Sequence, residues 1–160
     1  MTGSLHHSAQ RVQIALERLG FDLRVLQLPD STRSAQEAAQ AIGCTLGQIA
    51  KSLIFKTQKT DRPVLVIASG SNRVNETGIG EMVGEELRKA DADYVRKQTG
   101  FSIGGVPPMG HIQTIETFID EDLLNFDQIW AAAGTPHAVF MLTGEVLVQA
   151  TQGKVTRVKS

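Results

Sequence analysis

Ile49-Ala50-Lys51-Ser52-Leu53-Ile54-Phe55-Lys56, a polar turn, and Pro63-Val64-Leu65-Val66-Ile67-Ala68-Ser69 decide how this chain folds. The second run is almost continuously apolar, which predicts a strand paired on both sides inside a sheet. The first predicts a strand beside it, with one misfit. Alternation puts Lys51 on one face with Leu53 and Phe55. A lysine at such a core-facing position is costly unless it has a partner or a task. The plain alternative is a lysine that snorkels from the strand end to solvent.

Outward from this pair, residues 9–19 set Val12, Ala15, Leu16 and Leu19 on one helical face before Gly20. Residues 23–28 alternate as a strand does and end at Pro29-Asp30-Ser31. Ser34-Ala35-Gln36-Glu37 is a capping box for a short helix through Ile42, closed by Gly43. Downstream, residues 70–80 read as loop, 81–87 and 91–97 as short helices, and 114–119 as a strand. A helical turn over 120–126 precedes strands at 129–133 and 138–142, which flank the turn Gly134-Thr135-Pro136-His137. Thr143 caps a helix through Ala150, and residues 154–158 form a last strand. Roughly seven strands joined by short connections predict one α+β domain over residues 1–160, with a mixed or antiparallel, partly closed sheet.

Thr99-Gly100-Phe101-Ser102-Ile103-Gly104-Gly105-Val106-Pro107-Pro108-Met109-Gly110-His111 is the other telling stretch. Its glycines and adjacent prolines forbid a helix. It reads as a strand over 101–103 that enters a rigid loop. Bare glycine amides there suit a polarised carbonyl, an oxyanion or a phosphate; a tight turn between strands is the plain alternative.

Composition bounds the function. The 160 residues are 41% hydrophobic and 21% charged, with net charge −1, and the pI is about 6.4. That balance argues against coating duplex nucleic acid by bulk charge, while a local contact with one RNA end stays open. The single Cys44 allows no internal disulfide and fits a reducing cytosol. No apolar run is long enough to span a membrane, and residues 1–10 lack a signal core. The expectation is a cytoplasmic domain.

Three motif matches compete. Gly100-Phe101-Ser102-Ile103-Gly104 has the letters of a nucleophile elbow, and Asp127 and His137 follow in hydrolase order. The elbow needs a helix directly after the serine, which the glycines and prolines exclude. Gly78-Ile79-Gly80 with Gly84 approximates a dinucleotide fingerprint, but its third glycine comes one residue late. His6, His7, His111 and His137 form no metal-binding spacing. Basic Arg88, Lys89, Arg96 and Lys97 precede the glycine loop, as a solvated face or as a guide for a phosphate backbone.

Taken together, Lys51 in its apolar strand and the downstream Gly100, Gly104-Gly105, Pro108 and Gly110-His111 pattern resemble the YbaK/prolyl-tRNA synthetase-associated editing domain family. The likeness runs through nearly the whole chain, including Ala131-Ala132-Ala133-Gly134-Thr135. It implies a mixed, barrel-like sheet and hydrolysis of the ester of a mischarged aminoacyl-tRNA, with tRNA(Pro) as partner and a link to prolyl-tRNA synthetase. The resemblance also implies that no metal or cofactor is needed, because water attacks with help from the substrate's ribose 2′-hydroxyl. On this analogy Lys51 engages the terminal adenosine and its phosphate, and Gly104 and Gly105 hold the aminoacyl carbonyl. Gly100, Ile103, Pro107 and His111 contain the aminoacyl group, with Ala133, Gly134 and His137 at the rim. Members that remove cysteine carry Gly-Gly-x-Ser-Pro where this chain has Gly104-Gly105-Val106-Pro107-Pro108, so alanine, serine, threonine and cysteine all stay candidates. Two other classes fit the same residues: a non-catalytic RNA-end or nucleotide-binding module, and a serine esterase using Ser102.

Overall fold

The computed structural model describes residues 5–160; the first four residues of the terminal stretch 1–10 lie outside the described residues. In chain order the elements are α1 (His7–Arg18), β1 (Val25–Gln27), α2 (Ala35–Ile42), a 3-10 turn (Leu46–Gln48), β2 (Ile49–Thr57), β3 (Pro63–Ser69), α3 (Glu76–Val83), β4 (Leu87–Lys89), α4 (Ala92–Thr99), β5 (Glu116–Asp120), a second 3-10 turn (Glu121–Asn125), β6 (Ile129–Ala132), β7 (Ala138–Leu142), α5 (Gly144–Thr151) and β8 (Lys154–Thr156).

The sheet grows around the apolar run. β3 pairs antiparallel with β2, Ala50 opposite Ser69 and Lys56 opposite Pro63, and parallel with β5 on its other side. Val64, Leu65, Val66, Ile67 and Ala68 are all fully buried, and each larger side chain contributes about 1.5–3 kcal/mol by leaving water. The eight strands run β1-β7-β6-β2-β3-β5-β8, with β4 attached to β2. The pairs β2/β6, β3/β5 and β5/β8 are parallel and the rest antiparallel. This is the mixed α+β architecture that the sequence predicts.

The two faces of β2 and β3 carry two cores. Ala50, Ile54, Leu65 and Ile67 join Leu16, Phe101, Ile119, Phe140 and Leu147 in the larger one. Phe55, Val64, Val66 and Ala68 pack with Ile79 and Phe118 in the other. Helix ends follow their chemistry: Ser34 accepts from the Glu37 amide, and Gly43 closes α2 in the left-handed region.

β2 is interrupted on one edge. Against β3 it pairs from Ala50 to Lys56. On the opposite edge β6 reaches only Ile49 and Ala50, and β4 reaches only Phe55, Lys56 and Thr57. Among the described residues, 51–54 therefore have no strand neighbour there. The Gly70 amide donates to the Ile49 carbonyl and the Thr57 amide to the Arg62 carbonyl, so odd-numbered residues of β2 bond toward β3. The amide and carbonyl of Ser52 consequently face the open edge.

Three local expectations are corrected. Residues 101–103 are not a strand: Phe101 is a core anchor, and the Gly105 amide donates to the Ser102 carbonyl in a turn. Residues 76–83, read as loop running into a later helix, form α3 with Asn75 as its cap. Gly78 and Gly80 therefore lie within a helix, which removes the dinucleotide fingerprint. A Cβ on Gly80 would stand 2.8 Å from the Glu85 carbonyl oxygen, so glycine there permits the close approach of the chain entering β4. Residues 87–89 are the unanticipated eighth strand.

Candidate functional site

The open edge of β2 floors a cavity of about 760 Å³. Lys51, Ser52, Leu53 and Ile54 of β2 line it, together with Ile103, Gly104 and Val106 of the glycine loop. Ala131, Ala132 and Pro136 close one side, and the N-terminus of α2 another. The hydroxyl of Ser52 is buried without a partner among the described residues, leaving an unused polar group in a largely apolar floor.

Lys51 is half-buried, and its ammonium donates to the Asn72 carbonyl at 3.1 Å. Burial lowers its pKa below the ordinary lysine value; Asp120 opposes that shift and the Arg73 guanidinium adds to it. Arg33, Arg73 and Lys89 also line the cavity, and none has a carboxylate partner among the described residues. Four cations against the single lining carboxylate of Glu76 make the mouth suited to a phosphodiester. Half-buried Trp130, the chain's only tryptophan, adds a π surface to the wall.

The glycine loop supplies the donors. Gly104 has φ +88°, the left-handed conformation that a type II turn needs at its third residue. The amide of Gly105 is engaged by the Ser102 carbonyl. The amides of Gly104 and Val106 have no hydrogen-bond partner among the described residues, and both residues line the cavity. Free amides in a cavity that also holds cations can stabilise charge developing on a carbonyl oxygen.

The predicted residues divide accordingly. Lys51, Ile103 and Gly104 meet at the cavity. Gly105, Gly134 and Ala133 lie behind its wall: the Gly134 amide donates to the Gly105 carbonyl and the Ala133 amide to the Ala138 carbonyl. Gly100 caps α4, and its carbonyl accepts from Arg11. The Nε2 of His111 lies 2.7 Å from the Pro107 carbonyl oxygen. Since a carbonyl only accepts, Nε2 carries the proton, and the pair braces the loop outside the cavity lining. His137 places Nδ1 3.1 Å from the Thr32 carbonyl oxygen, next to the lining residue Pro136.

Sequence reasoning missed Arg33, Arg73 and Trp130. No motif marks them, because the gap in the sheet that gathers them is a tertiary feature. The hydrolase triad is not assembled. The Ser102 hydroxyl accepts from Arg96 at 2.9 Å, and no hydrogen bond joins Ser102, His137 and Asp127 among the described residues.

A family model described as an aminoacyl-tRNA editing domain matches residues 29–150. A solved structure described as a candidate trans-editing enzyme for prolyl tRNA synthetase is 47% identical, with a TM-score of 0.94, covering 98% of this chain and 99% of that one. The protein YwhH of Bacillus subtilis is 30% identical over 131 residues, which span 82% of this chain and 83% of YwhH. Proline--tRNA ligase of Limosilactobacillus fermentum is 31% identical over 94 residues, 56% of this chain but 16% of that enzyme.

Proposed function

The chain belongs to the aminoacyl-tRNA editing domain family and is an aminoacyl-tRNA deacylase, and we propose that residues 1–160 act in trans on tRNA(Pro) that carries a small noncognate amino acid. The observation that supports this reading is one cavity lined by Lys51, Gly104 and Val106, with the amides of the latter two free of hydrogen-bond partners among the described residues.

Lys51 binds the phosphate of the terminal adenosine, with Arg33, Arg73 and Lys89 receiving the phosphates that precede it. Trp130 offers a face to the adenine. The ester carbonyl lies against Gly104 and Val106, whose amides stabilise the oxyanion as water adds to the carbonyl carbon. The ribose 2′-hydroxyl of the substrate orients that water. Collapse of the intermediate breaks the bond to the ribose 3′-oxygen, which leaves protonated, and frees the amino acid. Lys51 serves binding and orientation, because an ammonium is a poor general base. The route calls on no metal or cofactor.

Ile103, Val106, Ala131 and Val139 give the cavity an apolar wall, which suits a short side chain and discriminates among small ones only by shape. The test is deacylation of tRNA(Pro) charged separately with Ala, Ser, Thr or Cys, with Pro-tRNA(Pro) spared.

A further inference from the structure

The Asn72 carbonyl that receives the Lys51 ammonium belongs to a loop tied to a buried carboxylate. Asp120 ends β5 and is 1% exposed. It accepts from the Ser69 amide at 2.9 Å, from the Asn72 side-chain amide at 2.8 Å and from the Asp122 amide at 2.9 Å. Both ends of the turn 69–72 are thus fixed to one carboxylate, and the Asn72 amide donates to the Ser69 carbonyl across it. The Asn72 side chain also donates to Asp122 at 2.8 Å, and Asp122 pairs with Lys159 at 3.0 Å.

Neither Asn72 nor Asp120 lines the cavity, and no cation contacts Asp120 among the described residues. A buried carboxylate without a paired cation is expensive to keep. Its three donors all come from the turn that presents the Asn72 carbonyl or from the backbone beside it. The nearest use for such an anion is the Lys51 ammonium, reached through Asn72, which bonds Asp120 by its side chain and Lys51 by its carbonyl.

We propose that Asp120, acting through Asn72, is the positioning residue that holds Lys51 in place as a cation facing the cavity. The proposal rests on the reading of Lys51 as the ligand of the substrate's phosphate. The charges that act on Lys51 are Arg73 from the same loop and Asp120 from β5. Arg33, Glu76 and Lys89 line the same cavity, and Asp122 of the following 3-10 turn, paired with Lys159 of the C-terminal segment, meets the Asn72 side chain. Burial and Arg73 disfavour the ammonium, whereas Asp120 favours it.

Asp120→Asn keeps the shape and removes the charge; Asn72→Ala keeps the carbonyl and removes its anchor. Side-chain NMR of 13C-lysine protein, with Lys51 assigned through Lys51→Arg, reads the titration directly. The expected result is a Lys51 midpoint at lower pH in Asp120→Asn, and in both variants a fall in kcat/KM of about 10- to 100-fold. If Asp120→Asn does not fold, Asn72→Ala decides by the same two readouts, its Lys51 signal losing the chemical shift of an anchored ammonium. An unmoved Lys51 titration and shift overturn the proposal, whether activity is kept or lost together with thermal stability. Should wild type cleave no ester, the deacylase reading fails on its own, while the Lys51 titration still decides this one.

Discussion

The Gly134 amide donates to the Gly105 carbonyl at 2.8 Å, and a Cβ on Gly105 would stand 2.7 Å from the Gly134 carbonyl oxygen. The two glycines let the loop after α4 and the turn after β6 meet backbone to backbone. Gly134 in turn lies against α1, where a Cβ would stand 2.6 Å from the Ser8 carbonyl oxygen. This stack holds Gly104 and Val106 at the cavity wall.

Substitution should separate the two loop glycines. Gly105→Ala drives a methyl group into fixed backbone and should destabilise by about 2–3 kcal/mol. Gly104→Ala meets only Pro136 Cγ at 3.7 Å, so its cost is the left-handed backbone, about 1–2 kcal/mol. Urea unfolding of both variants checks the order.

Much of this frame was legible in the sequence, for definite reasons. Ser34, Glu37 and Gly43 announce α2 because capping is local chemistry. The run from Val64 to Ala68 announces an interior strand because both of its faces must be apolar. Gly78 and Gly80 misled, because glycine reads as a breaker; Gly78 sits against the Asn75 cap, and the use of Gly80 is a close contact with the chain before β4. β4 itself, Leu87-Arg88-Lys89, is too short and too charged to show alternation. Lys51 stood out as a lysine in an apolar strand. Arg33, Arg73 and Trp130 did not, since only the broken edge of β2 brings them to one cavity.

His111 should act on stability and not on chemistry. Burial lowers its pKa below 6.5, while its contact with the Pro107 carbonyl works the other way. As pH falls below 6.5 the unfolded chain takes up the proton first, so stability is full above that value and is lost as pH falls through the lower folded value. Chemical denaturation across this range should show that loss in wild type, and a flatter profile in His111→Asn.

Ser102 should be dispensable. Its hydroxyl is an acceptor for Arg96 on an exposed turn, so Ser102→Ala should retain deacylation within about twofold of wild type, as expected of a surface change. Loss of turnover, or labelling of Ser102 by a fluorophosphonate, would restore the esterase reading.

Arg73 should bind without taking part in bond breaking. Arg73→Ala should raise KM for aminoacyl-tRNA roughly 3- to 10-fold with kcat nearly kept, the pattern of a lost charged contact made equally in ground and transition states. The same change removes a like charge from Lys51, so any alkaline limb that Lys51 sets in the rate should move to higher pH. Quenching of the single Trp130 by an aminoacyl-adenosine analogue offers a direct binding readout.

The most direct test of the central claim is a deacylation panel: tRNA(Pro) charged separately with Pro, Ala, Cys, Ser and Thr, incubated with wild type and with Lys51→Ala. The account predicts selective cleavage of a small noncognate ester, Pro-tRNA(Pro) spared, and a loss of about 100-fold in Lys51→Ala, the scale of a misplaced substrate. Equal cleavage by wild type and Lys51→Ala would contradict the role given to Lys51. No ester cleaved above the buffer rate, with the aminoacyl-adenosine analogue still bound, would make the protein a binding module instead of a deacylase.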